Sequence, residues 1–201
     1  MYKSSTINHL YPRMNQILPN LFLGDIEASQ DLESIKEHKI QNIVSILAQT
    51  DFHVPTTHHL MITLNDGQPF TPDVLEKGVN FIKKALAKNE GTLVHCMAGI
   101  SRSTTLVSAY LMKELHYTPD KAIKFIEEKR EIIDPAYFTF QSAINWVYPD
   151  KNMICQNCNK VWDYREKYDF FVNTHQNKQK NIKECICIDP NIILKEISST
   201  A

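Results

Sequence analysis

Three patterns of apolar and polar positions recur along the chain, and each predicts a different kind of element. Short apolar runs without alternation, at residues 42–47, 60–64 and 92–94, predict strands covered on both faces. Residues 17–24 carry two further short apolar pieces interrupted by Pro19 and Asn20, which predicts two strands joined by a turn. Helical spacing is the second pattern. Ile26, Ala28, Leu32 and Ile35 recur at near-helical intervals, with Glu27 and Asp31 early and Lys36, His38 and Lys39 late, as the helix dipole prefers. Leu75, Val79, Ile82 and Leu86 make one face of a helix over 73–88. Its start is Thr71-Pro72-Asp73: an N-cap, a first-turn proline and a dipole-pairing carboxylate. Thr118-Pro119-Asp120 begins another, with Ala122, Ile123 and Ile126 inward and Lys121, Lys124, Glu127 and Glu128 on a solvated face. The third pattern is a helix apolar on nearly all sides, over 104–115, which belongs in the core. After the stop at Pro135, residues 137–148, with Phe138, Phe140, Ile144, Trp146 and Val147, predict a closing helix over the sheet.

Strands and helices in this order predict an α/β fold, with a central mixed sheet in an α/β/α arrangement. The chain is organised around residues 94–104, where an apolar strand passes through a loop of small residues into the buried helix. Such a loop points backbone N–H groups inward, and the helix dipole adds positive charge at the same place, so an anion binds there. Cys96 stands at the strand end. The N–H groups of Met97, Ala98, Gly99, Ile100 and Ser101, the dipole and Arg102 all favour its thiolate, and a thiolate can attack phosphorus. Arg102 can grip two phosphoryl oxygens in a bidentate pair, and Ser103 can bring its hydroxyl to the Cys96 sulfur. The competing reading of these residues is a buried core cysteine beside a helix-capping loop. Asp66, in Asn65-Asp66-Gly67, follows a predicted strand and falls at the sheet end where ligand loops gather; as a carboxyl group it can give and take a proton. Its competing reading is a simple turn residue.

The run His95-Cys96, five residues, then Arg102-Ser103 resembles the signature of the cysteine-dependent protein tyrosine phosphatases. With residues 99–103 followed by Ala109-Tyr110-Leu111-Met112, it is similar to the dual-specificity branch. The resemblance covers about residues 15–148. It implies a phosphatase-type fold and hydrolysis of phosphotyrosine and phosphoserine or phosphothreonine on protein substrates, through a cysteinyl-phosphate. It also implies Cys96 as nucleophile, Arg102 and the loop N–H groups as phosphate binders, and Asp66 as general acid and base. Ser103 then eases thiolate departure, His95 tunes Cys96 from behind, and catalysis needs no cofactor. Met97, Ala98 and Ile100 are uncharged, which favours a singly phosphorylated side chain over a polyphosphate. With little room before residue 15 for an N-terminal kinase-docking domain, an atypical member without one is expected. One departure is local: Ala136 stands where the family commonly has asparagine, and Gln141 comes one residue early. Two other classes of function stay open: an inactive module that only binds phosphoproteins, and an interaction protein directed by its tail.

Composition adds limits. With 43% hydrophobic residues among 201, the chain can bury one core and carry a small appendage, giving an extension at 1–14, a catalytic domain at 15–148 and a tail at 149–201. Net charge is −1, from 22 basic and 23 acidic residues, so no global field favours nucleic acid or an anionic membrane. No run reaches membrane-spanning length and residues 1–15 lack a signal-peptide core, so a cytoplasmic or nuclear chain is expected. Five cysteines, with one assigned to chemistry, fit a reducing compartment. The other four, Cys155, Cys158, Cys185 and Cys187, lie in the tail, where they suit either one structural zinc, with His175 as a substitute ligand, or a loose segment with free thiols. Nothing in the sequence bears on oligomeric state.

Overall fold

The computed structural model describes residues 11–49, 52–54, 58–149, 152–154 and 161–163. The chain divides into two compact units, Met1–Val147 and Tyr148–Ala201. In the first, β1 (Met14–Leu18) and β2 (Leu21–Gly24) form an antiparallel pair, turned by Pro19 and by Asn20 at φ 63°, a left-handed conformation that asparagine tolerates. Then come α1 (Leu32–Glu37), β3 (Ile40–Leu47), β4 (His58–Thr63), α2 (Pro72–Ala87), β5 (Gly91–His95), α3 (Arg102–Leu115), α4 (Pro119–Glu127) and α5 (Tyr137–Val147). The five strands lie in the order β1-β2-β5-β3-β4, all parallel except β1, so the sheet is mixed as expected. β5 occupies the centre and is buried at all five positions, which explains its unbroken apolar run.

α3 is buried from Arg102 to Met112, matching its all-round apolar pattern. α2 packs on it and on α5, β5 and β4, burying Leu75, Gly78, Val79, Ile82 and Ala85. A Cβ at Gly78 would come within 2.7 Å of Leu106, so the bare backbone is what lets the helices approach. Leu86, expected on that face, is only half-buried. α2 begins as predicted at Thr71 and Pro72, although the Thr71 side chain makes no capping bond; Thr118, at the start of α4, does cap, accepting from the Lys121 N–H.

The helix expected from Ile26 through Ile35 is shorter. Asp31 is its N-cap, accepting from the Ser34 N–H, and α1 starts only at Leu32. Ile26 and Ala28 instead lie in turns, with the Ala28 N–H held by Asp25 and Ser29 Oγ donating to the Ile26 carbonyl. The helix expected to close over the sheet packs instead on α3 and α2: α5 buries Phe140, Ala143 and Ile144, whereas Phe138 points to solvent at 67% exposure. The Ala136 departure is accommodated by the backbone: its N–H donates to Ser101 Oγ, and Gln141 turns along the helix to donate to Asn145.

In the second unit β6 (Asn152–Ile154) pairs antiparallel with β7 (Val161–Asp163), a ladder that the sequence reading did not foresee. Cys155, Cys158, His175, Cys185 and Cys187 lie outside the described residues. No helix among the described residues is long and apolar enough to cross a membrane.

Candidate active site

β5 ends at His95, and residues 96–101 turn from it into α3 at the carboxyl ends of parallel strands β2, β3, β4 and β5. The loop's orientation follows from where its carbonyls go. The Cys96 carbonyl accepts from His95 Nδ1 at 3.1 Å and that of Met97 from the Ile26 N–H at 3.2 Å. Ala98 and Gly99 carbonyls both accept from Arg130, at 3.4 and 2.9 Å. The Ile100 carbonyl takes the Asp134 N–H and the Thr104 hydroxyl, and that of Ser101 takes the Thr105 N–H and hydroxyl. With all six carbonyls from Cys96 to Ser101 satisfied from outside, the N–H groups are turned inward. Ser101, at the N-cap position of α3, makes no capping bond across the first turn; its Oγ is occupied by the Ala136 N–H.

Gly99 makes the tightest turn, at φ 68°, and a Cβ there would lie 2.5 Å from the Gly24 carbonyl oxygen. Both conformation and space demand glycine. Arg130, 3% exposed, is the clamp behind the loop: besides Ala98 and Gly99 it donates to the Pro12 carbonyl at 2.9 Å and to Asn15 Oδ1 at 2.7 Å. Burial pulls its pKa down, while Asp25 and the Cys96 thiolate hold it up. Burial raises the pKa of Asp25 in turn, against the Ala28 N–H bond and the Arg130 charge that lower it.

At the base of the loop, Cys96 is 2% exposed, and the Ser103 hydroxyl donates to its sulfur at 3.3 Å. Burial alone would push the thiol up. The Ser103 hydroxyl, the N–H groups of Ser103 and Ile100 and the Arg102 charge outweigh it, and the pKa is lowered. Arg102 is also buried, and its Nη1 donates to the Leu64 carbonyl at 3.0 Å. Its Nε lies 3.3 Å from Asp66 Oδ1, an ion pair without hydrogen-bond geometry. Asp66 comes from the loop after β4 and its side chain is 62% exposed, at the mouth of the cradle. Asp66, inferred from a stretch 30 residues before Cys96, thus stands together with Cys96, Arg102 and Ser103. Met97 and Ala98 are exposed on the rim, and Gly99 and Ser101 are buried in the turn.

His95 is wholly buried. Burial drives its pKa down to about 4, against the Cys96 carbonyl bond that raises it, so it is neutral near pH 7. Behind it lie Ser45 and His59, which, like Arg130, Asn15 and Asp25, the sequence reading passed over. Arg130 did carry a signal, since 122, 126 and 130 fall on one helical stripe whose first two members are buried. The arrangement as a whole can seat a tetrahedral oxyanion over a thiolate, with a guanidinium beside it and a carboxyl group at its mouth.

Comparison with known proteins agrees with this geometry. The family described as dual specificity phosphatase, catalytic domain, matches residues 21–148. Human dual specificity protein phosphatase 16 is 39% identical over 143 residues, covering 68% of this chain and 21% of that protein. The tyrosine-protein phosphatase yvh1 of Schizosaccharomyces pombe is 36% identical over 126 residues, covering 61% of this chain and 38% of that protein. This chain therefore spans well under half the length of either relative. Among solved structures, the human tyrosine phosphatase-like serine/threonine/tyrosine-interacting protein superposes with a TM-score of 0.63 at 26% identity, covering 69% of this chain and 100% of that one.

Proposed function

The chain belongs to the dual specificity phosphatase catalytic-domain family, and from that premise we propose that it is a protein phosphatase acting on phosphotyrosine and phosphoserine or phosphothreonine through a cysteinyl-phosphate intermediate. The Cys96 thiolate attacks phosphorus in line with the ester oxygen; a P–S bond forms as the P–O bond to the leaving group breaks. Inward N–H groups of residues 97–101 and the Arg102 guanidinium hold the equatorial oxygens as charge develops on them. Asp66 gives its proton to the departing oxygen, then takes one from the water that attacks phosphorus and breaks the P–S bond. In that second step the Ser103 hydroxyl stabilises the leaving thiolate. Side chains and loop N–H groups together supply every step, and catalysis needs no cofactor.

The observation that carries this reading is geometric: a 2% exposed Cys96 sulfur accepts from the Ser103 hydroxyl at 3.3 Å at the base of the loop that brings Arg102 and Asp66 together, and the donors around the thiol lower its pKa. Uncharged Met97, Ala98 and Ile100 support a singly phosphorylated side chain as substrate. A thiolate of this kind needs a reducing compartment, so we place the protein in the cytoplasm or nucleus; imaging of the tagged chain tests it. The sharing of a structural zinc by Cys155, Cys158, Cys185 and Cys187 rests on their spacing in the sequence alone, and the zinc content of the purified chain decides it.

The decisive experiment is hydrolysis of a small aryl phosphate by wild type, Cys96→Ser and Asp66→Ala, with and without chelator. Loss of turnover in Cys96→Ser, slowing in Asp66→Ala and indifference of the chemical step to chelator are expected. Undetectable wild-type turnover in fresh reductant, with phosphopeptide still bound, would replace the phosphatase by a phosphoprotein-binding module.

A further inference from the structure

Behind the cradle, three residues from three adjacent strands form a single file of hydrogen bonds. Ser45 of β3 is in register with His95 of β5, and His59 of the edge strand β4 lies diagonally across, on the same face as Met61, the partner of Ser45. Ser45 Oγ is 2.6 Å from His95 Nε2 and 2.9 Å from His59 Nε2. His95 Nδ1 is 3.1 Å from the Cys96 carbonyl oxygen. His95 and Ser45 are both at 0% exposure, so neither has water as a substitute partner.

The direction of every bond follows from one fact. A carbonyl oxygen can only accept, so His95 carries its proton on Nδ1. A neutral imidazole protonated there has a lone pair on Nε2, and the Ser45 hydroxyl must donate to it. Having spent its one proton, Ser45 can only accept from His59, whose Nε2 therefore bears a hydrogen. Protonating His59 adds a hydrogen at Nδ1 and leaves this donor in place. The file thus runs one way: His59 to Ser45, Ser45 to His95, His95 to the peptide of Cys96.

We propose that Ser45 and His59 are positioning residues for the Cys96 nucleophile: His59 sets the direction of the Ser45 hydroxyl, and Ser45 keeps the His95 proton on Nδ1, where it anchors the Cys96 carbonyl. The proposal rests on the reading of Cys96 as the nucleophile. Without the Ser45 hydroxyl, the buried Nε2 has no partner and the proton can move to it. A lone pair on Nδ1 then faces the lone pairs of the carbonyl, the Cys96 peptide turns, and the sulfur leaves the N–H groups of Ile100 and Ser103 that stabilise its charge. The charged and titratable groups around the file are Arg102 with Asp66, Arg130 with Asp25, and His53 beside His59. The substitutions below leave all of them in place.

The test reads the thiol itself, by the pH dependence of Cys96 alkylation with iodoacetamide, and the His95 tautomer by imidazole nitrogen shifts. Ser45→Ala should populate the Nε2–H tautomer and raise the alkylation midpoint by about half to one pH unit, the size of one neutral hydrogen bond. His59→Phe should shift it the same way by less, and His59→Gln, whose amide can donate as Nε2–H does, should restore it. A folded Ser45→Ala protein with unchanged tautomer and midpoint overturns the proposal. Should Ser45→Ala not fold, identical midpoints in His59→Phe and His59→Gln overturn it equally. Alkylation reads the thiol whether or not turnover occurs, so a failure to hydrolyse aryl phosphate would overturn the phosphatase reading alone.

Discussion

Replacing Arg130 by methionine keeps most of the side chain's volume and removes every donor it presents. Four hydrogen bonds go with it: to Gly99 at 2.9 Å, to Pro12 at 2.9 Å, to Asn15 at 2.7 Å and a longer one to Ala98 at 3.4 Å. Each bond from a charged donor is worth about 1.5–3 kcal/mol, but a charge buried to 3% has also lost its hydration, so the four do not add. Breaking such a buried network costs about 3–5 kcal/mol, because carbonyls shaped around the guanidinium lose their partner. Against a total stability of about 5–15 kcal/mol for a domain, that is a large share. Urea unfolding followed by circular dichroism at pH 7 measures it directly. Arg130→Lys should fall in between, since one ammonium cannot span acceptors on both sides of the loop. The methionine variant should also bind orthovanadate more weakly, because the Ala98 and Gly99 peptides are no longer held with their N–H groups inward. A destabilisation under about 1 kcal/mol, within the range of an ordinary surface substitution, would refute the clamp.

Gly99→Ala must adopt a left-handed backbone and meets the Gly24 carbonyl 2.5 Å away; the conformation alone costs about 1–2 kcal/mol, and thermal unfolding should show at least that much lost. Ser103→Ala removes a donor that lowers the Cys96 pKa, so the acid limb of kcat/KM should move to higher pH, and a burst of aryl alcohol should expose slow breakdown of the phosphoenzyme. The depressed pKa of His95 sets a pH dependence of stability. Between pH 6.5 and 4 the unfolded chain binds a proton that the folded chain refuses, so stability falls as pH drops through that window, by about 3 kcal/mol. His95→Asn, which retains a donor for the Cys96 carbonyl, should flatten that part of the profile in denaturant titrations at successive pH values.

The site was legible where its chemistry is contiguous. Cys96, the loop, Arg102 and Ser103 lie within eight positions, and a strand followed by a small-residue turn and a buried helix leaves few ways to arrange them. Asp66 was legible because it falls within three residues of the end of β4, and strand ends converge. What lay behind the loop was not. Asn15, Ser45 and His59 reach the site through strand order, which no local pattern encodes; Arg130 continues the stripe of Ala122 and Ile126, but inside a charged run a buried arginine looks like its solvated neighbours. The misplaced start of α1 has a local cause: Asp31 was read as an acid early within the helix when its carboxylate caps it, and side-chain bonds from Asp25 and Ser29 shape the preceding turns. Phe138 misled because hydrophobicity alone put it inward, while Thr139 took the buried position and donates to the Gln68 carbonyl.

The bond from Arg130 to the Pro12 carbonyl spans 118 residues of sequence. During synthesis the two partners emerge far apart in time, with Cys96 and its loop already outside the ribosome before Arg130 follows. Until then the Gly99 carbonyl lacks its anchor and the thiol lacks a finished set of inward N–H groups. In the growing chain this anchor therefore waits until nearly the whole first unit has been made.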